Sequence, residues 1–172
     1  FRYDKRILKL MRNQRLDESK LSFEDFVKDA ADVVNHFKLF NAEKYNFDRF
    51  ILVGHSQGAL VAKLASLKTA VNGLILLNGS AKPMDELMIE QLKLQAPFLV
   101  EDLRVALDSI KTVGYVNEYN PLLKSYVYKD VQPFMQSWIK YDPQQVAEKI
   151  SVYASILRAS SIGTINPDSI FN

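Results

Sequence analysis

The sequence predicts an α/β fold, a parallel sheet covered by helices, and three observations carry that prediction. From Leu21 to Gly79 the apolar pattern alternates between a helical period and short continuous runs, in the order helix, strand, helix, strand. The runs themselves, Phe50 to Val53 and Gly73 to Leu77, are strand-sized and far short of the ~20 residues a membrane-spanning helix needs. The whole chain of 172 residues is 48% apolar and 24% charged, enough to pack one core and too apolar for a disordered segment.

The elements follow in chain order. A basic opening, Lys5 to Arg15, reads as a solvated face. Ser22 then stands as a helix N-cap with Asp25 three residues on, and Phe23, Phe26, Val27, Ala30, Val33, Val34, Phe37 and Phe40 recur on one helical face. Asn41 to Arg49 is polar and loop-like. Phe50 to Val53, stopping at Gly54, is patterned as a strand buried on both faces. From Gln57 to Lys68 small and helix-favouring residues predict a second helix, with lysines near its end suited to the negative pole of its dipole. Val71 to Gly79 is a second buried strand closed by a turn.

Residues 81–150 read as a helical insertion, with Met84, Leu87, Met88, Gln91, Leu92 and Gln95 on one face, then Phe98 to Val113, then shorter pieces broken by Pro121, Pro133 and Pro143. Residues 151–172 form an atypical tail with a possible strand at Val152 to Leu157. The expected organisation is therefore a core over 1–80, a helical cap over 81–150 and the tail.

Composition removes several function classes. With no cysteine, a thiolate nucleophile, a zinc–thiolate site and an iron–sulfur cluster are excluded. Only two histidines exist, His36 and His55, so no three-histidine metal site can form. Twenty-two Lys plus Arg against 20 Asp plus Glu give a net charge of +2 with no long block of either sign, so no nucleic-acid partner is expected. The chain opens on Phe1 without a signal-peptide pattern, which raises the expectation that it starts partway through a longer sequence and leaves localisation and oligomeric state open.

The chemistry concentrates in Gly54-His55-Ser56-Gln57-Gly58, a Gly-x-Ser-x-Gly motif between a predicted strand and a predicted helix. In that setting a sharp turn exposes the serine Oγ above the sheet, and Gly54 and Gly58 let helix and strand approach. Ser56 is the expected nucleophile. The N–H of Gln57, at the helix N-terminus, is the expected oxyanion donor. The side chain of His55 is expected to point away from that of Ser56 and to serve packing or a pocket wall rather than as the base.

With Arg2-Tyr3-Asp4-Lys5-Arg6, Leu21-Ser22-Phe23-Glu24-Asp25-Phe26 and the Gly54 to Gly58 motif, the chain resembles the α/β-hydrolase superfamily, in particular its bacterial branch with a Gly-His-Ser-x-Gly elbow. The resemblance continues through Leu76 to Gly79, Asp85-Glu86-Leu87 with Glu90-Gln91-Leu92, and Ser137 to Pro143, covering roughly residues 1 to 150. It implies an incomplete α/β-hydrolase fold with a helical cap, no cofactor, a small-molecule acyl substrate, and esterase-like hydrolysis through Ser56.

The family's pattern differs from this chain in three places. A glycine usually follows the Asp-Lys-Arg run, where Ile7 stands here. The His-Gly-type loop that supplies a second oxyanion N–H would lie before Phe1. After Pro143 the pattern calls for a strand leading to the triad acid and later a histidine, whereas Arg158 to Ser161 holds no acid and no histidine follows Ile150. A fragment boundary or shifted frame near Ser151 is the expectation this break raises.

The remaining candidates are weaker. His36 is expected to be a solvated helix residue. Asp85 and Asp168 invite comparison with a triad acid, and capping or turn chemistry accounts for both more simply. The cap aromatics and methionines, from Phe98 through Tyr115, Tyr119, Tyr126, Tyr128, Phe134 and Met135 to Trp138, either line an acyl or aryl pocket or pack helices onto the sheet. Two readings follow: a serine hydrolase, or a catalytically inactive hydrolase-fold fragment or binding remnant.

Overall fold

The computed structural model describes residues 1–41 and 47–157. It is an α/β arrangement around a three-stranded parallel sheet. Helices α1 (Arg6–Arg12) and α2 (Phe23–Asn41) precede strand β1 (Ile51–His55), which leads into α3 (Gln57–Ser66) and then β2 (Gly73–Leu77). A helical stretch follows: α4 (Met84–Gln95), α5 (Val100–Thr112), α6 (Lys124–Val127), α7 (Gln132–Ile139) and α8 (Pro143–Glu148). Strand β3 (Tyr153–Leu157) returns to the sheet. The strand order is β1-β2-β3, with Ile51 opposite Gly73 and Gly73 opposite Tyr153. The parallel pairing follows from the crossover connections, a helix between β1 and β2 and the helical stretch between β2 and β3.

Two bodies of apolar packing build this unit. The face of α2 predicted by periodicity buries Phe23, Phe26, Val27, Ala30 and Val34 against Leu60, Val61, Leu64 and Ala65 of α3 and against Leu74 and Leu76 of β2. The buried face ends earlier than its period suggests, since Phe40 is exposed. The helical stretch has a core of its own, in which Leu103, Leu107, Ile110, Leu123, Val127 and Ile139 are fully buried. Trp138 packs against both bodies and joins them.

The α2 N-terminus carries the expected cap. The Ser22 N–H donates to the Asp25 carboxylate at 3.0 Å, and the Glu24 N–H donates to Ser22 Oγ at 3.2 Å. A further donor of the same helix end is satisfied from a distance, since the Phe23 N–H donates to Ser137 Oγ at 2.8 Å.

Several expectations are corrected. β1 is not buried on both faces: Ile51 and Val53 are 53% and 62% exposed, because α2 and α3 cover one face and nothing among the described residues covers the other. It also runs on to His55 rather than ending at Val53. β3, the possible strand of the tail, forms but is exposed along its length. Gln91 and Gln95 are exposed, and of the face read from the period α4 buries only Met88 and Leu92. Within the basic opening, α1 forms without burying a residue, held by the Arg6 guanidinium on Asp25 and Asp29 at 2.7 Å each. The expected tail beyond residue 157, with Asp168, and most of the expected loop after α2 lie outside the described residues.

Candidate active site

The carboxyl ends of the three strands converge on one place, where ligands of open α/β sheets bind. The Ser56 N–H donates to the Leu77 carbonyl at 2.9 Å, extending the β1–β2 ladder by one rung. The Asn78 N–H donates to the Leu157 carbonyl at 2.8 Å and does the same for β2 and β3. Ser56 and Asn78, each the residue just past its strand, therefore sit side by side at the sheet edge.

Ser56 occupies the turn between β1 and α3 with φ 53° and ψ −118°. A residue with a side chain rarely adopts such a backbone, at a cost of about 1–3 kcal/mol, and it persists only where the surroundings impose it. Here the ladder bond to Leu77 fixes one side, and the Ala59 N–H donating to the Ser56 carbonyl at 2.9 Å fixes the other. The turn leaves Ser56 exposed, on the wall of a cavity of about 650 Å³.

The two motif glycines have different parts. A Cβ at Gly54 would lie 2.1 Å from the Gly58 carbonyl oxygen, so the return of α3 over β1 excludes any side chain there. A Cβ at Gly58 would meet nothing within 4 Å, which corrects the expectation that both glycines serve the close approach. A contact the sequence reading missed lies at Gly79, where a Cβ would fall 2.7 Å from that of Ala59.

Gln57 opens α3, where backbone N–H groups of the first turn lack partners within the helix and the dipole favours negative charge. Its side chain is held aside, accepting from Lys5 Nζ at 2.9 Å. The cavity wall opposite is apolar, with Leu60, Met84, Leu87, Trp138 and Pro143. Asn78, Ser80, Gln91 and the Lys82–Glu90 ion pair supply its polar part. That pairing raises the Lys82 ammonium above its ordinary value.

The wall is set by residues further out. Trp138 stacks on Phe23 with ring centroids 5.4 Å apart and planes within 4°. Lys140 pairs with Glu24, and Tyr141 Oη donates to the same carboxylate at 3.1 Å. Burial works to raise the Glu24 carboxyl, and Lys140 and the Ser22 hydroxyl outweigh it, so it lies below its usual value. Lys63 Nζ, buried beneath α8, donates to the Pro143 carbonyl at 2.9 Å. It therefore does not serve the α3 dipole as its place near the helix end suggests.

Among the described residues Ser56 Oγ has no hydrogen-bond partner, and no imidazole lines the cavity. His55 is exposed and absent from the wall of the Ser56 cavity, correcting its reading as a packing or pocket-wall residue. His36 is solvated, as read, with its ring 4.4 Å from that of Phe40. Asp85 neither caps nor lines the cavity: it is buried, its Oδ2 accepting from Lys111 Nζ at 2.7 Å while Oδ1 has no hydrogen-bond partner among the described residues. Of the aromatics named in the helical stretch only Trp138 reaches the cavity, while Phe98 and Tyr115 are exposed and Met135 is core. No cluster of His, Asp and Glu among the described residues has the grouping of a metal site, and no described helix is long and apolar enough to cross a membrane. No protein-family model, curated protein or solved structure matches the chain.

Proposed function

We propose that the chain carries the nucleophile half of a serine hydrolase of α/β-hydrolase type, acting on small acyl substrates, with residues 81–150 as its cap. The observation that carries this reading is Ser56 itself, held at φ 53° between a parallel strand and a helix N-terminus on the wall of a cavity. A strained, exposed serine at the carboxyl edge of a sheet has no packing purpose to account for its strain.

In the proposed reaction Ser56 Oγ attacks the carbonyl carbon of an ester as its proton passes to a base. The carbonyl oxygen becomes an oxyanion opposite the Gln57 N–H, and the intermediate collapses to an acyl-serine as the C–O bond to the leaving group breaks and its oxygen takes the proton back from the base, departing as the alcohol. Water then repeats the attack and restores the serine. The acyl or aryl part lies against Leu60, Met84, Leu87 and Trp138.

A second reading has its own support: among the described residues Ser56 Oγ lacks a partner and the cavity lacks an imidazole, as a binding remnant without acyl transfer would. Hydrolysis of p-nitrophenyl acetate and p-nitrophenyl butyrate separates the two. The hydrolase reading expects release of p-nitrophenol above the Ser56→Ala background. Release equal to that of Ser56→Ala assigns the chain to the remnant reading.

A further inference from the structure

Gln57 lines two cavities, and it is the one residue common to both walls. The second, of about 290 Å³, is walled by Ile7 of α1, by Leu21 and Phe26 at the start of α2, and by Val131 and Phe134 at the start of α7. Since a dry cavity of about 150 Å³ takes a benzene ring, this one has room for a ring and a short chain.

Its polar groups are few and differently engaged. Glu18 accepts from Tyr128 Oη, so the acid on this wall already has a donor. Lys5 Nζ meets only neutral groups: it donates to Gln57 Oε1 at 2.9 Å and stands 5.4 Å from the centroid of the Phe26 ring. Among the described residues no carboxylate lies within ion-pair distance of it. An apolar cavity bordered by one ammonium without a counter-ion matches a ligand with an apolar body and one anionic end.

We propose that the cavity of Ile7, Phe26 and Phe134 is a second binding site, for a small aryl or branched-alkyl carboxylate whose apolar end fills it and whose carboxylate is taken by Lys5. The site rests on these contacts alone and does not require acyl transfer at Ser56. Its ligand shares the Gln57 side chain with the Ser56 cavity, so the two sites are neighbours through one residue.

Titration of 3-phenylpropanoate into the full chain, followed by the amide resonances of Leu21, Val131 and Phe134, tests this. The acid is expected to shift those amides and to bind about fivefold more tightly than 3-phenylpropanamide, the scale of one exposed charge pair. In Lys5→Gln the acid and the amide are expected to bind alike. Ile7→Trp, which fills the cavity, is expected to abolish the shifts, and Ser56→Ala to leave them unchanged. Equal binding of acid and amide by the unaltered chain, or shifts confined to residues of the Ser56 cavity, would overturn the proposal. Because these outcomes need no turnover, failure of the hydrolase reading leaves them standing.

Discussion

At the scale of single residues, strain and contact can be separated at the turn that bears Ser56. Its backbone conformation costs least for glycine, which lacks the Cβ that makes it unfavourable. Urea unfolding of Ser56→Gly and Ser56→Ala is expected to show the glycine variant more stable by about 1 kcal/mol, against the usual preference for alanine. Equal stability, or a more stable alanine variant, would mean that the turn relaxes and holds no strain. The motif Gly54-x-Ser56-x-Gly58 made this turn legible in the sequence, because strand, serine and helix must follow one another in that order. It could not tell the glycines apart. That difference depends on the path of α3 over β1, which puts the Gly58 carbonyl against Gly54 and leaves the outer side of Gly58 open.

At the scale of elements, α3 is fixed to α8 by a buried cation. Burial lowers Lys63 from its ordinary value of 10.5, and the neighbouring Asp142 carboxylate offsets this only in part. The folded state thus holds the proton less tightly than the unfolded chain. Between the lowered pKa and about 10.5 the unfolded chain carries more protons, so stability rises with pH across that window. Relative to Lys63→Met, the unaltered chain is expected to gain stability as pH climbs toward that value, measured by thermal unfolding of both proteins. A constant difference would place Lys63 in a solvated setting. No sequence reading could give this role to Lys63, since its partner Pro143 lies 80 residues away. The helix α1 was illegible for a related reason: it buries no apolar face, and its anchor is the ion pairing of Arg6 with Asp25 and Asp29. The long helix α2 was legible because its period marks the face it buries.

At the scale of the whole molecule, the sheet leaves apolar surface uncovered. Ile51 and Val53 of β1, with Tyr153, Ile156 and Leu157 of β3, are each more than half exposed, and among the described residues both outer strands present unpaired backbone edges. Such edges pair with other chains. The 172 residues alone are expected to self-associate with rising concentration, and Val53→Lys with Ile156→Lys to reduce this; light scattering that shows a monodisperse monomer throughout would contradict it. The sequence placed β1 among doubly buried strands because an unbroken apolar run looks the same whether or not a partner covers it. Order and type of the central elements were nevertheless readable, since local periodicity and the turn motif specify them without distant contacts.

Whether Ser56 is a nucleophile or only a turn residue is decided by covalent labelling. Intact mass of the chain after exposure to a fluorophosphonate probe, with peptide mapping and a Ser56→Ala control, reads that chemistry without assuming a substrate. A nucleophilic Ser56 is expected to give a single adduct at that residue and none in the control. An unmodified mass, or adducts equally frequent in Ser56→Ala, would contradict it.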